Sequence, residues 1–121
     1  MTKPPTLECA VLLDRVAFLL DYASRAYRQY MASGKKFLFA SILYATNDDI
    51  RRSLMHNIQV LPADKRSAAM ELIYHIDVWQ RLWEEERVRR QPDNDDVFAF
   101  ENDVTFPTEQ VERLLRRKNS D

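Results

Sequence analysis

The chain has 121 residues, of which 45% are hydrophobic and 31% charged, a balance that is typical of a single globular domain and excludes a disordered chain. Its formal net charge of −1 gives no overall attraction to nucleic acid or to an anionic membrane surface. The lone Cys9 excludes an internal disulfide and a cysteine-based zinc site, and the lone Gly34 argues against the many tight turns of a β-rich fold. Composition therefore predicts an all-α protein, which we expect in the reducing cytoplasm.

The first predicted helix covers residues 7–33 and follows a loose tail over residues 1–5. Thr6 is placed to cap the helix N-terminus. Apolar residues then recur at alternating spacings of four and three along one face: Leu12, Val16, Leu19, Ala23, Ala26 and Tyr30. Gly34 suits the left-handed position that closes a helix, so we expect the first helix to end there.

The second predicted helix covers residues 36–60, and its apolar residues hold one phase: Phe39, Leu43, Ile50, Leu54, Ile58 and Leu61. The polar run Asn47-Asp48-Asp49 interrupts the apolar content without shifting that phase. This run is either a solvated turn of one long helix or an N-cap that restarts a helix at a kink. The constant phase favours the continuous helix.

The third predicted helix covers residues 62–90, with Pro62 in its first turn and Pro92 just beyond its last. One of its faces carries four large apolar residues at spacings of four, three and four: Leu72, Ile76, Trp79 and Trp83. Two indole rings on one stripe need a large apolar surface to pack against. Because the links between the helices are short, we expect the three helices to run up, down and up as antiparallel neighbours.

Residues 91–107 lack the apolar periodicity of the three helices. They are predicted to form an ordered coil, the aromatic strap, that crosses the bundle. Phe98 and Phe100 lie in its short apolar patch, between two acidic runs. A final short helix is predicted over Glu109–Lys118, where the apolar residues again share one face.

The sequence thus predicts one domain over residues 6–118, with tails over residues 1–5 and 119–121. Its predicted fold is all-α, an antiparallel bundle of three long helices plus a short C-terminal helix packed by the aromatic strap. Thirteen Trp, Tyr and Phe residues are generous for the core of so small a bundle. We therefore expect a dimer or an obligate partner.

One pair of residues suggests chemistry on RNA. Arg51 is followed after four residues by His56, a spacing that resembles the R-x4–6-H signature of HEPN-type ribonucleases, which are small all-α domains that typically act as dimers. The resemblance implies that Arg51 would hold the scissile phosphate and that His56 would be the general base. In the structural alternative, Arg52 and His56 face solvent one turn apart, and Arg52 pairs with Asp48.

A second pair, Glu71 and His75, lies on one helix face at the spacing that metal ligation needs. Together with His56, this pair could form a two-histidine, one-carboxylate site. The sequence lacks the repeated motif of a di-iron bundle, so an exposed Glu–His pair is favoured, and no metal or cofactor is expected. The acidic run over residues 93–101 lacks the glycine of a calcium loop, and no glycine-rich loop is present to bind a nucleotide.

Few catalytic groups and many aromatic residues together predict a protein that is not an enzyme. We expect a small regulatory, adaptor or chaperone-like bundle that binds a protein partner or a second copy, with no membrane or nucleic acid involved. The predicted partner-binding surface has five residues: Phe37, Phe39, Tyr44, Phe98 and Phe100. The alternative is an endoribonuclease that uses Arg51 and His56 across a dimer.

Overall fold

Four α-helices and one 3-10 turn make up the part of the chain that this computed structural model describes, residues 6–100 and 107–116. The elements are listed in chain order: α1 (Leu7–Ala32), α2 (Phe37–His56), the 3-10 turn (Ile58–Val60), α3 (Ala63–Arg90) and α4 (Thr108–Leu115). Over those residues there is no β-strand, and the predicted bundle of three long helices and one short helix is confirmed. The predicted tails, residues 1–5 and 119–121, lie outside the described residues.

Both ends of α1 are fixed by the local interactions that the sequence predicts. At the N-terminus, the Thr6 Oγ1 accepts a hydrogen bond from the Cys9 amide at 3.1 Å. At the C-terminus, Gly34 takes a positive φ of 82°, and the Lys35 amide donates to the Tyr30 carbonyl at 2.8 Å. This is a Schellman closure, in which a glycine takes the conformation that other residues adopt at a cost.

The polar run in the middle of α2 leaves the helix unbroken, as predicted. The predicted end of this helix at residue 60 is wrong, because α2 stops at His56 and a separate 3-10 turn follows it. Asn57 supplies the reason: its backbone leaves the helical region at φ −125°, and its side-chain amide donates to the Ser53 carbonyl at 2.8 Å. An asparagine side chain that bonds to a backbone carbonyl one turn earlier competes with helix continuation.

The other two predicted helices need smaller corrections. α3 begins at Ala63 and ends at Arg90, before Pro92, so its predicted bounds are confirmed to within one residue. α4 begins at Thr108 and ends at Leu115, three residues short of the predicted end, and Lys118 lies outside the described residues.

The apolar side chains form two clusters, one toward each end of the bundle. The first cluster joins all four helices and includes Leu12, Val16, Ile50, Leu54, Leu72, Ile76 and Leu114. The second cluster is aromatic and gathers Tyr30, Phe37, Tyr44, Trp79, Trp83, Phe98 and Phe100. The N-terminal half of α1 thus meets the C-terminal half of α2, and the reverse holds at the other end, so these neighbours are antiparallel.

The aromatic strap closes the second cluster through its described part, residues 91–100. The Tyr30 hydroxyl donates to the Phe98 carbonyl at 2.6 Å and accepts from the Phe100 amide at 3.3 Å. The Phe98 ring is fully buried, with its centroid 5.1 Å from that of Trp83. The backbone of the strap is thus hydrogen-bonded and its Phe98 ring is buried, so the strap covers this end of the bundle.

The first prediction concerns this anchor. Phe98→Ala should lower the free energy of unfolding by about 3–5 kcal/mol, because it leaves a cavity among aromatic rings that cannot close over it. Val97→Ala is the matched control, since Val97 is the exposed neighbour, and it should change stability by less than about 0.5 kcal/mol. Urea denaturation measures both, and equal effects of the two substitutions would contradict the anchoring role.

Candidate functional site

A groove runs along the bundle between α1 and α3, and α2 forms its floor. Its volume is about 950 Å³. Its walls extend from Leu20 to Tyr30 on α1 and from Leu72 to Trp83 on α3, which is about 15 Å or three helical turns. Most of the lining is apolar, and it includes the buried side chains of Ala23 and Ile76.

The short helix α4 occupies the slot at one end of this groove. It packs mainly on α3 and touches α1, and its Leu114 is fully buried in the first cluster. Val111 and Leu115 then form the end of the open groove. The α4 helix therefore fills one end of the space between α1 and α3. Because α4 is short, the rest of that space stays open as the groove.

Polar side chains hold α4 in this slot. The Lys65 Nζ donates to the Leu114 carbonyl at 2.8 Å and to the Arg113 carbonyl at 3.2 Å, which satisfies backbone groups at the helix C-terminus. From α3, the Glu71 carboxylate accepts from the Gln110 side chain at 2.8 Å and pairs with Arg113 at 3.3 Å.

The opposite end of the groove is aromatic. Tyr30, Trp79, Trp83 and Phe100 meet there, and the Trp79 and Phe100 rings form an edge contact with centroids 6.1 Å apart. Trp83 is almost completely buried, whereas Trp79 is half-buried. The predicted packing of both indoles on one face is confirmed, because the Tyr44 ring contacts both of them.

The five residues predicted to bind a partner come together, but they pack against one another. Phe98 is a fully buried core residue, and this corrects its expected place at a surface. The other four, Phe37, Phe39, Tyr44 and Phe100, are half-buried around it. The physical reason is that the strap crosses the N-terminus of α2 and packs its own aromatic rings against the aromatic rings of α2.

The acidic part of the strap is also bound to the N-terminus of α2, by backbone hydrogen bonds. The Phe37 amide donates to the Asp96 carbonyl at 2.8 Å, and the Leu38 amide donates to the Asn94 carbonyl at 3.0 Å. These bonds satisfy the first amides of α2, which have no partner within their own helix. In the same turn, the Asp96 amide donates to the Asp93 carbonyl, and the Asp93 amide donates to the Asp96 carboxylate. Glu101 lies outside the described residues.

Arg51 and His56 occupy different sides of α2. The Arg51 guanidinium pairs with the Asp77 carboxylate of α3, and His56 is exposed in the last turn. Five residues of helix place two side chains about 140° apart. Arg52 pairs with Asp48 at 3.0 Å, as the structural alternative predicts. A catalytic role for Arg51 and His56 across a dimer stays a prediction.

Glu71 and His75, the second pair that the sequence singles out, lie one turn apart on α3. Glu71 binds α4, whereas His75 is half-buried in the wall of the groove. Within residues 6–100 and 107–116, no group of three or more His, Cys, Asp or Glu side chains could hold a metal ion. Burial lowers the pKa of His75, so the neutral imidazole is the form that the groove wall favours.

The sequence predicts the aromatic end of this site, but not the set of residues from three helices that line the rest of the groove. Trp79 was identified by helical spacing, but Leu43, His75 and Val111 are brought together by three helices. The available signal was the length of the last helix: an eight-residue α4 cannot cover a face that α1 and α3 present over more than twenty residues.

Comparisons with protein-family models, with curated proteins and with solved structures gave no match for this chain. None of the helices in the described residues has the length and apolar character needed to cross a membrane.

The second prediction follows from the burial of His75. Its lowered pKa means that the unfolded chain binds this proton more readily than the folded one, so stability falls as the pH drops below the ordinary histidine value of about 6.5. His75→Gln should reduce this loss of stability, and His56→Gln, at the exposed histidine, is the control. Urea unfolding at about pH 7.5 and about pH 5.5 gives the comparison, and an unchanged pH dependence in His75→Gln would contradict the assignment.

Proposed function

We propose that this protein is a non-enzymatic adaptor that binds an amphipathic helix of a partner protein in the groove between α1 and α3. The observation that carries the proposal is the half-filled slot, in which α4 covers one end and an apolar groove of three turns continues beyond it. A helix is the form of ligand that the slot already holds, because α4 lies in it with Leu114 inserted between its neighbours.

The lining supports a helix with large apolar side chains on one face. Tyr27 and Trp79 stand on opposite walls and remain accessible, one on α1 and one on α3. Aromatic side chains at a groove supply large contact area at a small cost in conformational entropy. A bound helix would place residues at spacings of three and four against them, as in other helix-in-groove interactions.

A few polar groups would fix the register of the bound helix. Ser24, Asn47 and His75 line the groove among its apolar side chains, one on each of the three helices. The Ser24 hydroxyl already accepts from Arg28 at 3.1 Å, while the imidazole of His75 favours its neutral form. Polar groups placed in this way give orientation, while apolar burial gives most of the affinity.

This proposal moves the expected contact surface from the aromatic cluster to the adjoining groove. Phe100 is the residue common to both, because it packs on Phe98 in the cluster and also ends the groove. The cluster then serves as a rigid end wall. A regulatory, adaptor or chaperone-like role in the cytoplasm is consistent with reversible capture of an exposed apolar helix.

The third prediction tests the groove with a synthetic amphipathic helix that carries leucine on one face and glutamine and lysine on the others. Tyr27→Glu should weaken binding of this probe roughly tenfold or more, because it puts a charge into the apolar wall. Tyr22→Glu is the matched control, since Tyr22 lies on the same helix with nearly the same exposure, 48% against 50%, and does not line the groove.

Fluorescence anisotropy of the labelled probe, with dilute protein, measures both affinities. We expect the control to stay within about twofold of the unsubstituted protein. Equal losses in both variants, or no binding of the probe by the unsubstituted protein, would contradict the proposal.

A further inference from the structure

The outer face of α1 carries an apolar stripe that neither the bundle nor the groove uses. Leu7, Val11, Phe18 and Tyr22 are 79%, 60%, 64% and 48% exposed. Their spacings of four, seven and four keep them on one side of the helix over four turns. The Phe18 and Tyr22 rings already touch, with centroids 6.3 Å apart.

This stripe faces away from the rest of the protein. Helical geometry places its centre about 170° from Tyr27, which lines the groove, and about 130° from the row of buried residues that includes Val16. A partner on the stripe would therefore leave the groove open, and the two surfaces can be tested independently.

Two exposed charges of opposite sign flank the stripe at its midpoint. Asp14 and Arg15 fall midway between Val11 and Phe18, and each lies about 50° from the centre of the stripe, on opposite sides. A second copy of the same helix offers the complementary pair at the same height. The stripe and its flanking charges thus form a self-complementary surface.

We propose that the stripe joins two copies of this chain in a parallel α1–α1 dimer, with Asp14 of each copy facing Arg15 of the other. In a parallel two-fold arrangement, the left flank of one helix meets the right flank of its partner, so each carboxylate meets a guanidinium. The layers Leu7, Val11, Phe18 and Tyr22 then pack against their own equivalents.

The antiparallel arrangement is disfavoured by the same geometry. It brings each flank against its own equivalent, so Asp14 would face Asp14 and Arg15 would face Arg15 at the centre of the contact. Like charges at close range destabilise a pair of helices. The charge pattern therefore selects the direction of the helices, while the apolar stripe provides the attraction.

The α1–α1 contact area is small, and this limits the expected affinity of the dimer. One helix face of four turns buries less than the about 800 Å² per partner of a standard interface. We therefore expect a reversible dimer that dissociates at roughly micromolar concentration, and that is populated at about 100 µM.

The fourth prediction tests the apolar stripe by sedimentation equilibrium of the full chain. Phe18→Glu should raise the dimer dissociation constant roughly tenfold or more. Tyr27→Glu, which changes the groove, should leave the dimer unchanged. A monomer at every concentration of the unsubstituted protein, or a dimer equally strong in Phe18→Glu, would overturn the proposal.

The fifth prediction tests the direction of the helices by charge exchange. Asp14→Arg and Arg15→Asp should each weaken the dimer, because each creates like-charged pairs across the contact. The double variant D14R/R15D should recover it, and an equimolar mixture of the two single variants should form a heterodimer. A double variant as weak as the single ones would overturn the parallel arrangement, and circular dichroism of each variant establishes that its helices are intact.

Discussion

The aromatic end of this bundle depends on the hydrogen bonds of the Tyr30 hydroxyl. This hydroxyl joins the backbone of the strap to α1 at two points, the Phe98 carbonyl and the Phe100 amide, which lie 68 and 70 positions further along the chain. Through this anchor the Phe98 ring reaches the space among α1, α2 and α3. Without it, Phe37 and Trp83 would lose the ring that covers them both.

The sealed aromatic end and the short α4 together create the groove. The first cluster closes one end of the bundle with Leu114 of α4, and the strap closes the other end with Phe98. Between these two seals, α1 and α3 stand apart over three turns, with α2 below them. The groove is thus a consequence of a three-helix bundle that receives only a partial fourth helix.

Local rules account for most of what the sequence predicts correctly. Thr6, Gly34 and Pro92 mark helix ends through interactions within a few residues, and the spacing of Trp79 and Trp83 fixes the buried face of α3. Phe98 escaped prediction as a core residue because its burial depends on contacts far along the chain. The position and lining of the groove and the outer stripe of α1 could not be predicted for a related reason: both are defined by what the other helices leave uncovered.

The proposed function requires that the uncovered slot between α1 and α3 receives a helix. Fluorine NMR of the protein labelled with 5-fluorotryptophan tests it directly, because the two indoles differ in position: Trp79 is half-buried at the groove, and Trp83 lies almost fully buried beneath the strap. On titration with the amphipathic probe helix, we expect the Trp79 resonance to shift while the Trp83 resonance moves much less. A Trp79 resonance that stays fixed at saturating probe would contradict helix binding in the groove.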